Sequence, residues 1–134
     1  MNRTRVFRVY LCVVGIVMFA WWTMGHWVYP AAYHDLLGFE SYDLPAVRII
    51  GTLSLFGVFA AFAVARNPKR NRDFFITLLA MSALMSATYL YLIVTSAFPR
   101  GEYFNIGLLL VNAIVAIVLY PRRQTDAPCA RIGG

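Results

Sequence analysis

The chain carries two histidines, His26 and His34, eight positions apart in a stretch crowded with aromatic residues. Trp27, Tyr29 and Tyr33 stand among them, Asp35, Glu40 and Asp43 follow, and Arg48 comes soon after. Residues of these types support three kinds of chemistry. Two imidazoles and a carboxylate can ligate a transition metal, a single imidazole can ligate a haem or chlorophyll, and His, Tyr and Trp together can stack on and hydrogen-bond a quinone or lipid. The spacing speaks against the metal. It matches no common ligand pattern, and the sequence has neither His-x-x-x-His nor a close Cys pair. No metal ligands are therefore assigned. Arg48 follows Asp43-Leu44-Pro45, which reads as a helix start, and an Arg at the mouth of an apolar run either snorkels to the interface or pairs there. Asp35, Asp43 and Glu102 are the expected partners, with an anion or lipid headgroup as the alternative. The candidate ligand or partner contacts are thus His26, Trp27, Tyr29, Tyr33, His34 and Arg48.

Signatures of catalysis are missing elsewhere. The sequence has no Gly-rich phosphate loop and no Ser or Cys nucleophile in recognisable spacing with a His. No acid lies in the middle of an apolar run, so a proton relay or ion-coupled transporter lacks its usual parts. The expectation is a protein that is not an enzyme and has no resident cofactor, bound lipid, quinone or pigment being the alternative.

The elements that would position these residues are apolar. Of 134 residues, 60% are hydrophobic and 13% charged, against about 25% charged in an average soluble domain. A soluble chain this short cannot bury that much apolar surface. Val9–Val28 has no charged residue, Ile49–Ala65 is a second such run, Phe74–Pro99 a third and Tyr103–Pro121 a fourth. A run of about 20 residues makes about 30 Å of helix, the thickness of a bilayer core. None alternates as a membrane β-strand would, and lipid leaves helix as the structure that satisfies the backbone. The fold class is therefore all-α: an integral membrane four-helix bundle in a single domain over 1–134. The expected spans are about 7–28, 46–65, 74–98 and 103–120, with a tail at 121–134. Pro30 suits a helix start and Gly38 an end, so a short interfacial helix is expected from about Ala31 to Leu37. Tyr33, Leu36 and Leu37 would face lipid there, and His34 and Asp35 water or a partner. Trp21 and Trp22 would join Trp27, Tyr29 and Tyr33 in an aromatic belt. The first run is too long for a signal peptide, and Trp21, Trp22 and Trp27 stand where small residues would define a cleavage site, so it reads as a retained helix.

Charge gives direction. Ten of the 12 Lys and Arg fall at Arg3, Arg5 and Arg8, at Arg66, Lys69, Arg70 and Arg72, and at Arg122, Arg123 and Arg131. Four spans put these segments on one side, and basic loops stay in the cytoplasm. Both termini are expected on the cytoplasmic side. The formal charge of +6 is then a topology signal and a contact for anionic lipid. Nucleic acid would need a basic face interleaved with base-stacking aromatics, which is absent. Cys12 and Cys129 both fall on the reducing side, so no disulfide is expected.

Helices in lipid pack through small residues. Gly57, Ala61 and Ala65 recur every four residues, with Gly51 continuing that face of the second span. Ala83 and Ala87 would serve the third span. Asn112, mid-way along the fourth, needs a partner in hydrocarbon, with Thr88 or Ser86 expected. The same faces would dock another protein's helix.

Tyr29-Pro30 after the first span, Arg48-Ile49-Ile50-Gly51 opening the second and Arg66-Asn67-Pro68 closing it give a layout similar to small bacterial four-helix membrane proteins, the DoxX-like and BphX-like families. The resemblance covers the first two thirds of the chain and carries over no functional residue. Some DoxX-like proteins accompany membrane oxidoreductases, which implies an inner-membrane accessory protein. The expected function is a non-enzymatic accessory or structural subunit of a larger membrane complex, photosynthetic or respiratory, whose partners are other membrane subunits and lipid. The alternatives are a binding protein for a hydrophobic ligand and a small metal-dependent membrane enzyme using His26 and His34.

Overall fold

Asn2 opens the first helix. Its Oδ1 accepts from the Thr4 amide at 3.0 Å, filling one of the unpaired donors that every helix start exposes. The computed structural model describes residues 2–121; the basic residues Arg122, Arg123 and Arg131, and Cys129, lie outside it. It contains five helices: α1 (Arg3–Trp27), α2 (Pro30–Leu37), α3 (Leu44–Arg66), α4 (Arg72–Val94) and α5 (Tyr103–Leu119). A 3₁₀ turn, Arg100–Glu102, leads into α5. No strand occurs among the described residues. Four of the helices, α2 excepted, are long and apolar enough to cross a membrane.

The ends differ in instructive ways from the expected spans. Capping by Asn2 carries α1 to Arg3. Pro45 lies in the first turn of α3, where its missing N–H costs nothing, so that helix starts at Leu44. α4 stops at Val94, short of the expected residue 98. Ser96 takes a left-handed φ of 58°, and the amides of Ala97 and Phe98 both return to the Leu92 carbonyl, at 2.8 and 3.1 Å. α1 contains a π-helical turn, Phe19–Thr23. Such a turn holds an extra residue and rotates everything after it relative to the first part of the helix. Nothing in the apolar run announces it.

Around the assembly α1 packs on α3, α3 on α4, α4 on α5, and α5 returns to α1. The first contact is close because glycines line it. A Cβ on Gly57 would lie 2.6 Å from the Met18 methyl, and one on Gly51 would lie 2.7 Å from the Trp27 ring. Gly51, Gly57, Ala61 and Ala65 are all buried on this face of α3. On α4 the buried residues are Phe75, Ser86, Tyr89 and Ile93. Ala83 and Ala87, expected at a contact, are exposed instead. The inward face of α4 is thus carried mainly by Phe75, Tyr89 and Ile93, with Ser86 among them, and Ala83 and Ala87 turn outward.

The two termini of the described chain meet at one end. Phe7, fully buried, makes edge contacts with Phe75 and Tyr120 at 5.6 and 5.4 Å, and Val64, Ala65 and Ala116 close the core. Two arginines of α1 cap neighbouring helices there. Arg8 donates through Nε to the Ala65 carbonyl at 2.7 Å, and Arg3 donates to the carbonyls of Val118 and Leu119. Cations at the negative ends of α3 and α5 complement both the unpaired carbonyls and the helix dipole. This is the basic end; the opposite end carries the His-rich stretch.

Candidate functional site

Asn105 organises the His-rich end. It sits two residues inside α5 and is fully buried. Its Oδ1 accepts from Trp21 Nε1 at 2.7 Å, and its Nδ2 donates to the Tyr33 hydroxyl at 3.1 Å and to Glu102 Oε2 at 2.5 Å. One amide thereby joins α1, α2 and the 3₁₀ turn. No buried side-chain polar atom among the described residues is left unpaired, which is what a polar network in an apolar setting requires. Burial pushes the Tyr33 hydroxyl well above the usual tyrosine range, so it stays protonated.

α2 is placed by two close approaches. A Cβ on Gly25 would lie 2.6 Å from the Tyr33 ring, so that ring rests directly on the α1 backbone. Gly101 abuts the Leu37 carbonyl with no room for a side chain. The face α2 turns inward is Tyr33, His34 and Leu37, all buried, while Leu36 is 70% exposed and Asp35 is exposed. This corrects the expected orientation, in which Tyr33 and Leu37 face lipid and His34 faces water. The Tyr33 hydroxyl can lie inward because its partner, Asn105, arrives from α5, and the His34 imidazole because the Pro30 carbonyl of its own helix accepts from it.

Both imidazoles are therefore interior. His26 and His34 are 4% and 5% exposed, and their ring centroids are 5.6 Å apart at 87°. His26 Nδ1 lies 2.6 Å from the Trp22 carbonyl and His34 Nδ1 lies 2.7 Å from the Pro30 carbonyl, each one helical turn back. A carbonyl only accepts, so Nδ1 carries the proton in each neutral ring and Nε2 holds the lone pair. Tyr33 packs on both rings, at 4.6 and 5.3 Å, and Tyr42 stacks on His34 at 4.3 Å and 21°. Among the described residues no group of three or more His, Cys, Asp or Glu is arranged to hold a metal ion.

The six sequence candidates separate. His26, Tyr33 and His34 come together. Trp27, 48% exposed, pairs with Arg48, whose guanidinium carbon stands 5.8 Å from its ring centroid. Trp27 Nε1 also donates to Thr52 Oγ1 at 3.1 Å, and Thr52 donates to the Arg48 carbonyl. The partner of Arg48 is thus an aromatic face rather than an expected carboxylate. Tyr29, 61% exposed, joins neither group. Asn105 and Glu102 are functional-looking residues that the sequence reading missed as a site. Asn105, like Asn112, is an amide in an apolar run that needs a partner, and that need is the signal that marks it.

Below this cluster the four long helices line a partly open apolar cavity of about 510 Å³. Trp22 and Tyr89 line it, and Trp22 also anchors His26, so they form the boundary with the His cluster. Met18, Leu53, Leu79 and Met85 make apolar walls. Polar groups are few. Tyr10 donates to Asn112 Oδ1 at 2.8 Å, so the partner of Asn112 is on α1 rather than at Thr88 or Ser86. Asn112 Nδ2 meanwhile donates to the Leu108 carbonyl at 2.7 Å. Ser54, paired with Thr23 at 2.7 Å, and Ser82 add hydroxyls. A concave apolar space with a few fixed polar groups is the usual form of a site for a small apolar molecule.

No protein-family model, curated protein or solved structure matches the chain.

Proposed function

We propose that the chain is a multi-pass protein of the bacterial inner membrane that binds a hydrophobic molecule, a quinone, lipid or pigment, between its four long helices. The cavity carries this reading. Its volume of about 510 Å³ falls within the roughly 300–1,000 Å³ of ordinary ligand sites. Its walls are apolar, and the Tyr10–Asn112 pair supplies an oriented hydroxyl and amide at mid-depth. A molecule with a long apolar body and one carbonyl or hydroxyl matches that distribution. Arg3, Arg5, Arg8 and the Arg66–Arg72 turn gather at one end, which supports a cytoplasmic location for both termini.

The test is mass spectrometry of an organic extract from protein purified out of its native membrane. A stoichiometric apolar compound is expected, and Ser82→Phe, which places a ring in the cavity, should lose it while the helical content stays the same. An empty wild-type extract overturns the reading.

One observation favours a second function, the accessory subunit. Ala80, Ala83 and Ala87 share an exposed face of α4, a surface on which another helix could approach closely. Purification in mild detergent should then bring a partner membrane protein along. A single pure species, sensitive to no substitution on that face, removes this second reading.

A further inference from the structure

The basic end holds a second recess, of about 270 Å³, independent of the apolar cavity. Arg8, Arg66 and Lys69 line it together with Thr4 and Asn67, and no acidic residue among the described residues does. Three cations converging without a carboxylate repel one another, and an arrangement of that kind is relieved by an anion. The recess is also built rather than incidental. Arg8 is fixed by its Nε bond to the Ala65 carbonyl, at 2.7 Å, which leaves the terminal nitrogens of the guanidinium for another acceptor. The Asn67 Oδ1 accepts from the Arg70 amide at 3.2 Å, holding that side chain across the turn. Pro68, which forms part of the floor, is buried, and its carbonyl accepts from the Tyr120 hydroxyl at 3.3 Å. The turn is thereby tied to the end of α5.

We propose that this recess binds a phosphate-bearing anion, with the phosphate held by the Arg8 guanidinium and the side chains of Arg66 and Lys69. Guanidinium forks match phosphate oxygens, and Lys adds a point charge. The recess lies where the long helices end, the level at which a phospholipid presents its headgroup. The source of the phosphate is an anionic lipid or a soluble phosphate compound, and the recognising chemistry is the same for both.

Native mass spectrometry of the full chain in detergent, with defined lipid added, tests the proposal. Phosphatidylglycerol should be retained over phosphatidylcholine. Lys69→Gln and Arg66→Gln should each weaken that retention about fivefold, and both leave the Arg8–Ala65 bond in place. Arg5→Gln, an equal loss of charge at an exposed residue outside the recess, should change it little. Displacement by millimolar inorganic phosphate identifies a soluble source, and persistence identifies the lipid; either result upholds the site. Equal retention of the two lipids, or a loss in Arg5→Gln as large as in Lys69→Gln, overturns it, because binding would then follow overall charge. The readout is independent of any compound in the apolar cavity, so the two proposals fail separately.

Discussion

The two ends of the molecule are held together by different physics. At the basic end Phe7, Phe75 and Tyr120 stack and interlock, and Arg3 and Arg8 cap helices whose carbonyls need donors. Contacts of that kind are many and individually weak, and several residues would satisfy them. At the His-rich end a single amide, Asn105, connects Trp21, Tyr33 and Glu102, and each bond has one correct partner. Packing gives the basic end its stability. The polar network gives the other end a defined geometry, one in which both histidines present the same tautomer. The difference separates what a bilayer requires from what it does not: it needs helices joined, but it does not need two buried imidazoles with Nδ1 pinned.

The largest expected effect tests the packed end. Phe7→Ala removes a fully buried ring from contact with two others and should cost about 3 kcal/mol, mostly from the cavity left behind. Thermal unfolding in detergent measures the cost. The imidazole resonances of His26 and His34 should not move. If they do, the two ends are coupled and the contrast between them fails.

Asn105→Leu should cost somewhat less, about 2–3 kcal/mol, because it strips partners from Trp21, Tyr33 and Glu102 at once. Here the histidine resonances should shift strongly, since Tyr33 packs on both rings. Stability loss with unchanged His signals would show that the network holds the helices and does not position the imidazoles.

Gly25→Ala sharpens the same point through the backbone. Its Cβ would lie 2.6 Å from the Tyr33 ring, so α2 must move, at about 1–2 kcal/mol. The expected outcome is a faster amide exchange across Pro30–Leu37 with α3 and α4 unaffected. Uniform exchange in all helices would contradict it.

How much of this was legible differs between the same two ends. The long helices were readable because an uninterrupted apolar run has one way to satisfy its backbone in lipid. Gly57, Ala61 and Ala65 share a face by helical periodicity alone, and that face is buried. The orientation of α2 was not readable. Tyr33, His34 and Leu37 occupy one side of a two-turn helix, and hydropathy sends such a mixed face to the interface. Its true environment is made by Asn105 and Glu102, some seventy positions later in the chain. Ala83 and Ala87 misled for the opposite reason: small residues permit close packing, but α4 lines a cavity with larger residues such as Leu79, Met85 and Tyr89, and its alanines stand exposed. The π-helical turn in α1 changes which side of the helix Trp22 and His26 occupy, and no residue type in the apolar run marks it.

The smallest effect at neutral pH isolates one bond of the network. Tyr33→Phe removes the acceptor of Asn105 Nδ2 and keeps the ring, so it should cost about 1 kcal/mol. Its signature is in alkali. Burial raises the Tyr33 hydroxyl above the usual tyrosine value, so the folded chain keeps this proton where the unfolded chain releases it. The associated stability is fully present below the ordinary tyrosine pKa of about 10 and is lost as pH rises beyond it. Wild-type stability should therefore fall more steeply above that pH than stability of Tyr33→Phe, with the two curves parallel below it. Curves that stay parallel into alkali would mean that water reaches the hydroxyl. The His-rich end would then be as loosely specified as the basic end, and the contrast between a packed end and a positioned end would be lost.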